Sequence, residues 1–161
     1  MLSMPEHDDH HAPINPAAVP ARLRSLTSRL LGRGALHAER ISNAHLATAG
    51  ATRWHYSALV TLRDSGPASQ AALSERTGIH RSDMVAVLGG LADARYVERT
   101  PDPADRRRNI VTITPAGRAH LSTLDRLVDE SQEELLAPLT SAERAELVRL
   151  LQQLDDHHSA R

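Results

Sequence analysis

Residues 78–117 read GIHRSDMVAVLGGLADARYVERTPDPADRRRNIVTITPAG, and the order of three parts within them decides the fold. From His80 to Ala94, the apolar residues Met84, Val87, Leu88 and Leu91 recur at helical spacing and make one face. Tyr96 to Thr100 is short and β-prone, led by Tyr96 and Val97. Asn109 to Thr114 sets Ile110, Thr112 and Thr114 against Val111 and Ile113, the alternation of a strand. Between the two strands lies TPDPADRRR, with two prolines, two aspartates and three consecutive arginines. A hairpin tip so crowded with charge cannot be hidden in a core and must stand out from the body.

A helix followed by a basic hairpin is the layout of a winged helix, which sets its helix in the DNA major groove and its wing along the backbone or minor groove. The residues upstream agree. DSGPAS breaks the chain, and Ser69 is placed to cap a short helix, QAALSERT, that ends at Gly78. Gly78 and Ile79 then turn the chain tightly into the next helix, which completes a helix-turn-helix.

The run DPADRR (Asp102 to Arg107), the following NIVTITPAG (Asn109 to Gly117) and the GI-x-R-S opening of the helix resemble the multiple-antibiotic-resistance regulator (MarR) family of bacterial transcription factors. The order of elements from about Ala21 to Leu154 is also similar. The resemblance implies base and phosphate contacts at His80, Arg81, Ser82, Asp83, Val85 and Ala86, with Ser69 and Gln70 in the same DNA-contacting set. Arg81 can span a guanine edge with two hydrogen bonds. A bare carboxylate repels phosphate, so capping of the helix start is the stronger expectation for Asp83. In the wing, Arg107 matches the position that enters the minor groove, and Asp105 its orienting partner through a charge-assisted bond. Arg106 and Arg108 would flank the groove and touch phosphates. The chain departs from the family pattern in three places. Ala86 stands where many members carry Arg, Gly89 and Gly90 replace polar residues, and Arg95 stands where a C-capping Gly is usual.

Working outward, the expected architecture is mostly α with a small β wing. A winged helix-turn-helix at about 52–116 is flanked by helices at about 21–47 and 116–158, which form a dimerisation domain. Residues 21–161 make one unit. Residues 1–20, with four prolines and little periodicity, read as a disordered arm. In the first helix Leu23, Leu26, Leu30, Gly34, His37 and Ile41 share a face. Thr52 is a plausible N-cap for the next, which carries Trp54, His55, Tyr56, Leu59 and Leu62. Pro115 suits the first turn of a further helix with Leu121, Leu124 and Val128 on its apolar side. Pro138 interrupts, and Thr140 or Ser141 with Glu143 or Arg144 starts a last helix striped by Leu147, Leu150, Leu151 and Leu154. These leucine rows exceed what one small winged domain must cover, so a homodimer and a pseudo-palindromic double-stranded operator are expected.

The 161 residues are 40% apolar but only 2% aromatic, with no Phe, so the core must be aliphatic. All 19 basic residues are Arg. Net charge is −1, which argues against a non-specific DNA coater, but the charge is unevenly spread. Residues 22–75 carry seven Arg against three acids, 76–118 eight against five, and 119–161 four against nine. That distribution reads as a basic DNA face with an acidic far end. The absence of Cys excludes disulfides, thiolate metal sites and thiol-based sensing. No apolar run approaches the ~18 residues of a membrane span, nor is there a signal-peptide core, so a cytosolic protein is expected.

A small amphipathic effector, an aromatic acid or phenol, is expected between the dimerisation helices and the winged domain. The candidate residues are His37, Arg40, Trp54 and His55, which would set cationic groups beside an aromatic wall. Core packing accounts for each of them equally well. A zinc-responsive relative of the same fold would draw on the ten histidines, notably the His7–His11 cluster, but no His-x-x-x-His pair falls within an expected helix. No cofactor is expected. No nucleophile–base spacing or phosphate-binding Gly loop points to an enzyme. A winged helix that binds only protein is a further alternative, separable by the salt dependence of DNA affinity.

Overall fold

The computed structural model describes residues 18–105 and 108–159. The chain divides into two compact units, Met1–His37 and Ala38–Arg161. In the first, Ala21–Arg24 makes one helical turn, α1, and α2 begins at Thr27 and runs to Ala47. One helix was expected here. The break has a local cause, because the Ser25 hydroxyl turns back to the carbonyls of Arg22 and Ala21 at 3.3 and 3.5 Å. A serine that satisfies backbone acceptors in this way competes with helix propagation. Leu30, Leu31 and Leu36 of α2 are exposed.

The second unit continues with α3 (Arg53–Ser65), β1 (Ala68–Ser69), α4 (Gln70–Thr77), α5 (Arg81–Asp93), β2 (Val97–Pro101), β3 (Asn109–Ile113), α6 (Pro115–Leu135) and α7 (Ser141–Ser159). The caps follow the sequence. Thr52 accepts from the His55 N–H, and the His55 ring Nδ1 accepts from the Thr52 N–H, a reciprocal capping box. Ser69 caps α4 through the Ala72 N–H, and Gly78 ends it in the left-handed conformation at φ 70°. Thr140 and Glu143 form a second capping box at the start of α7.

The sheet is antiparallel, ordered β1-β3-β2. Val97 pairs with Ile113, Arg99 with Val111 and Pro101 with Asn109. Pro101 is tolerated because β2 lies at the sheet edge. The two-residue strand β1, pairing Ala68 with Val111 and Ser69 with Ile110, was not expected. Leu59, Leu62, Leu73, Met84, Leu88, Val111, Leu121 and Leu124 form a buried apolar centre from α3, α4, α5, β3 and α6. On its rim the Tyr56 hydroxyl donates to Asp125 Oδ1 at 3.0 Å, while Arg63 donates to Asp125 Oδ2 at 2.7 Å. Burial, and then the bond to Asp125, push the Tyr56 phenol up to about 12.

One corner joins the end of α5, the start of β2 and the start of α6. α5 closes in a Schellman pattern, with the Arg95 N–H on Ala92 O and the Tyr96 N–H on Leu91 O. Arg95 takes the left-handed position at φ 61°, without the glycine that would hold it cheaply. Its carbonyl accepts the Thr114 hydroxyl at 2.8 Å, and the Tyr96 carbonyl accepts the Thr114 N–H at 3.0 Å. Thr114 then caps α6 through the Gly117 N–H. A Cβ on Gly117 would lie 2.0 Å from the Tyr96 oxygen, so only glycine fits.

Candidate nucleic-acid interface

α5 has two unlike faces. Met84, Val87, Leu88 and Leu91 are buried in the core. His80, Arg81, Ser82, Val85 and Ala86 are exposed on the other side, and Asp83 is half-buried. His80 is the N-cap residue, yet its side chain makes no capping bond among the described residues. Instead the Gln70 amide donates to the Arg81 carbonyl at 3.3 Å, fastening the start of α4 to the first turn of α5. The helix-turn-helix is thereby held as one piece, with an outward face rich in hydrogen-bonding groups.

The wing is tied at its base. The Asp102 N–H donates to Arg108 O and the Arg108 N–H to Asp105 O, while Asp102 Oδ1 accepts the Ala104 N–H in a local turn. Asp105 and Arg108 are exposed. Arg106 and Arg107, the two other wing arginines singled out from sequence, lie outside the described residues, as does any pairing of Asp105 with Arg107. Arg108 reaches from the wing to the Ser69 hydroxyl at 3.3 Å. Ser69 therefore serves twice, capping α4 and anchoring the wing's cation beside it.

Two grooves border this face. One, of about 500 Å³, runs along Ser69, Ser74, Glu75, His80, Arg81 and Arg108. The other, of about 260 Å³, lies between α4 and the wing and is lined by Gln70, Leu88, Arg99, Arg108 and Asn109 among others. Arg99 was missed from sequence. Its signal was available in the strand pairing, because opposite Val111 it sits at the wing base beside Arg108. The described cations Arg81, Arg99 and Arg108 thus border one continuous face, as a polyanion requires.

The MarR family model matches residues 49–108, which run from the turn before α3 to the start of the wing's second strand. A putative transcriptional regulatory protein for the hcr operon of Thauera aromatica is 31% identical over 125 residues, covering 77% of this chain and 75% of the relative. The chain belongs to the MarR family. The transcriptional repressor NicR of Pseudomonas putida is 33% identical over 98 residues, 61% of this chain. That match spans 62% of the NicR length. Among solved structures, Bordetella bronchiseptica BpsR, whose DNA binding is regulated by 6-hydroxynicotinic acid, superposes with a TM-score of 0.75 at 27% identity. The superposition covers 86% of this chain and 99% of BpsR. The MarR-family assignment gives the helix-turn-helix and wing their place in a set of transcriptional regulators.

The effector residues expected in this MarR-family chain fall in different settings. His37 and Arg40 are exposed on α2, His37 in the first unit and Arg40 in the second. Trp54 and His55 are half-buried at the start of α3. Trp54 borders a cleft of about 340 Å³ with Ser57, Thr77, His80 and Asp83. The cation in that cleft is Arg53, whose guanidinium lies 5.9 Å from the Trp54 ring centre and 3.3 Å from Glu39. Sequence reading passed over Arg53 because Trp54 and His55 dominate the local pattern. His55, besides its capping bond, faces Gly90 of α5. Burial, and then the charge of His120, hold His55 below its ordinary value, and burial does the same to His120. His120 stacks on Tyr96 with ring centres 4.1 Å apart. No group of three side chains fit to hold a metal is found among the described residues. The His7–His11 cluster lies outside them. No helix among the described residues is long and apolar enough to cross a membrane.

Proposed function

We propose that this chain is a homodimeric, sequence-specific DNA-binding transcriptional regulator, a repressor released by a small aromatic acid. The observation that carries the reading is the pinned pair of α5 and wing. Gln70 ties α4 to α5, and Arg108 ties the wing to Ser69, so the helix and the wing are held in one relation. His80, Arg81, Ser82, Asp83, Val85 and Ala86 would face the major groove, with Ser69, Gln70 and Arg108 on the backbone. Arg106 and Arg107 would extend the wing contact, Arg107 into the minor groove and oriented by Asp105.

Two features support the dimer. None of the described residues of α7 is buried, while Val148, Leu150, Leu151 and Leu154 lie open on it. Leu30, Leu31 and Leu36 of α2 are open as well. A two-fold dimer calls for a pseudo-palindromic operator with half-sites about one helical turn apart. The regulation of BpsR by an aromatic acid supports the effector class. Here Trp54 and His55, with Arg40 on α2, are the candidate contacts within the second unit, and Arg53, set over the Trp54 ring, joins them. An effector releases DNA only if it binds the non-fitting dimer several kcal/mol more tightly than the fitting one.

Gel-shift titration at fixed salt tests the reading. Arg81→Ala should cost ~1–3 kcal/mol and relax preference at one base position per half-site. Arg107→Ala should weaken binding to the operator while leaving the oligomeric state unchanged. Unaltered affinity in both variants would remove α5 and the wing from the interface.

A further inference from the structure

The outward face of α5 carries one large apolar side chain. Val85 is 53% exposed, whereas Met84, Val87, Leu88 and Leu91 of the same helix are buried. Nothing in the fold asks for valine there. It adds nothing to the core, and a β-branched residue is a poorer helix former than alanine. A lone exposed apolar residue is ordinary on a protein surface. This one is different in its place. It stands one turn beyond Arg81, which lines one groove with His80 and Arg108.

We propose that Val85 is a specificity-determining residue that reads thymine, packing its γ-carbons against the C5 methyl of one T·A pair in each half-site. The inference rests on the DNA-binding reading above. Major-groove base edges present hydrogen-bond donors and acceptors except at pyrimidine C5, where thymine carries a methyl and cytosine only a hydrogen. Valine pressed on any other edge group strips its water and returns no hydrogen bond. Pressed on the methyl, it removes two apolar surfaces from water together. The position is bounded too. Four residues of helix advance about 6 Å and base pairs repeat every 3.4 Å. The thymine should therefore lie within about two base pairs of the one that Arg81 contacts.

The test starts from a duplex pool randomised over about 20 base pairs, room for two half-sites one helical turn apart. The full chain selects from it, and the enriched duplex is resynthesised with deoxyuridine replacing thymidine one symmetric pair of positions at a time. Deoxyuridine removes the methyl and leaves pairing intact. At one position the wild type should lose about fourfold per half-site, about sixteenfold for both. Val85→Ala and Val85→Ser should bind the thymidine and deoxyuridine duplexes alike at that position, and Val85→Thr, which keeps one methyl, should recover part of the difference. Changing that T·A pair to C·G should weaken wild-type binding, and 5-methylcytosine should restore some of it. Since Val85 is exposed and alanine favours helix, these variants keep the fold. Equal binding of thymidine and deoxyuridine duplexes at every position would overturn the inference and leave DNA binding standing. So would a deoxyuridine loss that persists unchanged in Val85→Ala. Failure to enrich any duplex would overturn the DNA-binding reading itself, and this inference with it.

Discussion

α5 and α7 are both regular helices, but they are held by different things. α5 buries four side chains in its own core, and bonds from Gln70 and Thr114 fix the backbone at or next to its two ends. α7 buries none along 19 residues. What steadies α7 within the chain is local, namely its capping box, Arg149 on Glu146, and Arg144 on Glu133 across the Pro138 turn. Exposed ion pairs of this kind contribute little, and a helix without a packed face is marginal in water. The contrast teaches a division of labour. The aim of each DNA-reading element is set inside one chain, whereas the distance between two such elements must be set by what covers α7, which in the dimer reading is a second copy.

The largest expected effect breaks the α7 side. Leu147→Glu with Leu151→Glu would place four charges in a two-fold interface, far beyond what a dimer of ordinary affinity tolerates. Light scattering should show monomer, with amide exchange of α7 rising towards the unstructured rate and the core around Leu88 retaining more protection. A stable operator-binding dimer carrying both changes would show that α7 is not the interface. Next, Gly117→Ala attacks the side held by its own chain. With a Cβ only 2.0 Å from the Tyr96 oxygen, the corner must open, at a cost of roughly 3 kcal/mol or more. Urea unfolding measures this, and a midpoint equal to wild type would mean that the corner yields easily.

Two smaller changes sharpen the contrast. Arg95→Gly should stabilise the α5 end by about 1 kcal/mol, because Arg95 sits at φ 61°. A lower melting temperature would reveal a packing role for the arginine instead. The smallest effect concerns pH. His55 and His120 lie below the ordinary imidazole value of 6.5, chiefly through burial. As pH falls below that value the unfolded chain takes up protons first, so stability is full above pH about 6.5 and declines towards the folded-state values. His55→Gln supplies an oxygen that can accept the Thr52 N–H and does not titrate. It should flatten the fall in melting temperature between about pH 7.5 and pH 5.5. An identical pH profile would place the sensitivity elsewhere.

What was legible in the sequence was what rests on nearest neighbours or on period. The buried face of α5, strands β2 and β3 to within a residue or so, and the caps at Thr52, Ser69, Gly78 and Thr140 all follow from side-chain chemistry a few positions away. The α5 residues expected to face DNA came from the resemblance, and the structure places them on its exposed side apart from half-buried Asp83. What escaped depends on distant partners. β1 is two residues long and exists only because β3 passes beside it. The need for Gly117 comes from a carbonyl 21 positions earlier in the chain, and no local pattern announces it. Arg53 and Arg99 gain their meaning from a cleft and a strand register. For His37, Arg40, Trp54 and His55 the chemistry was legible, but residue type alone does not say what gathers around them.

The corner at Arg95, Tyr96, Thr114 and Gly117 has a mechanical consequence. Two carbonyls are claimed by one threonine, and the helix beyond it starts with no room for a methyl group. There is no slack there to absorb a rotation. Any tilt of α6 must be delivered to α5 as by a crank welded to its shaft, and whatever bends when the molecule changes state must bend somewhere else.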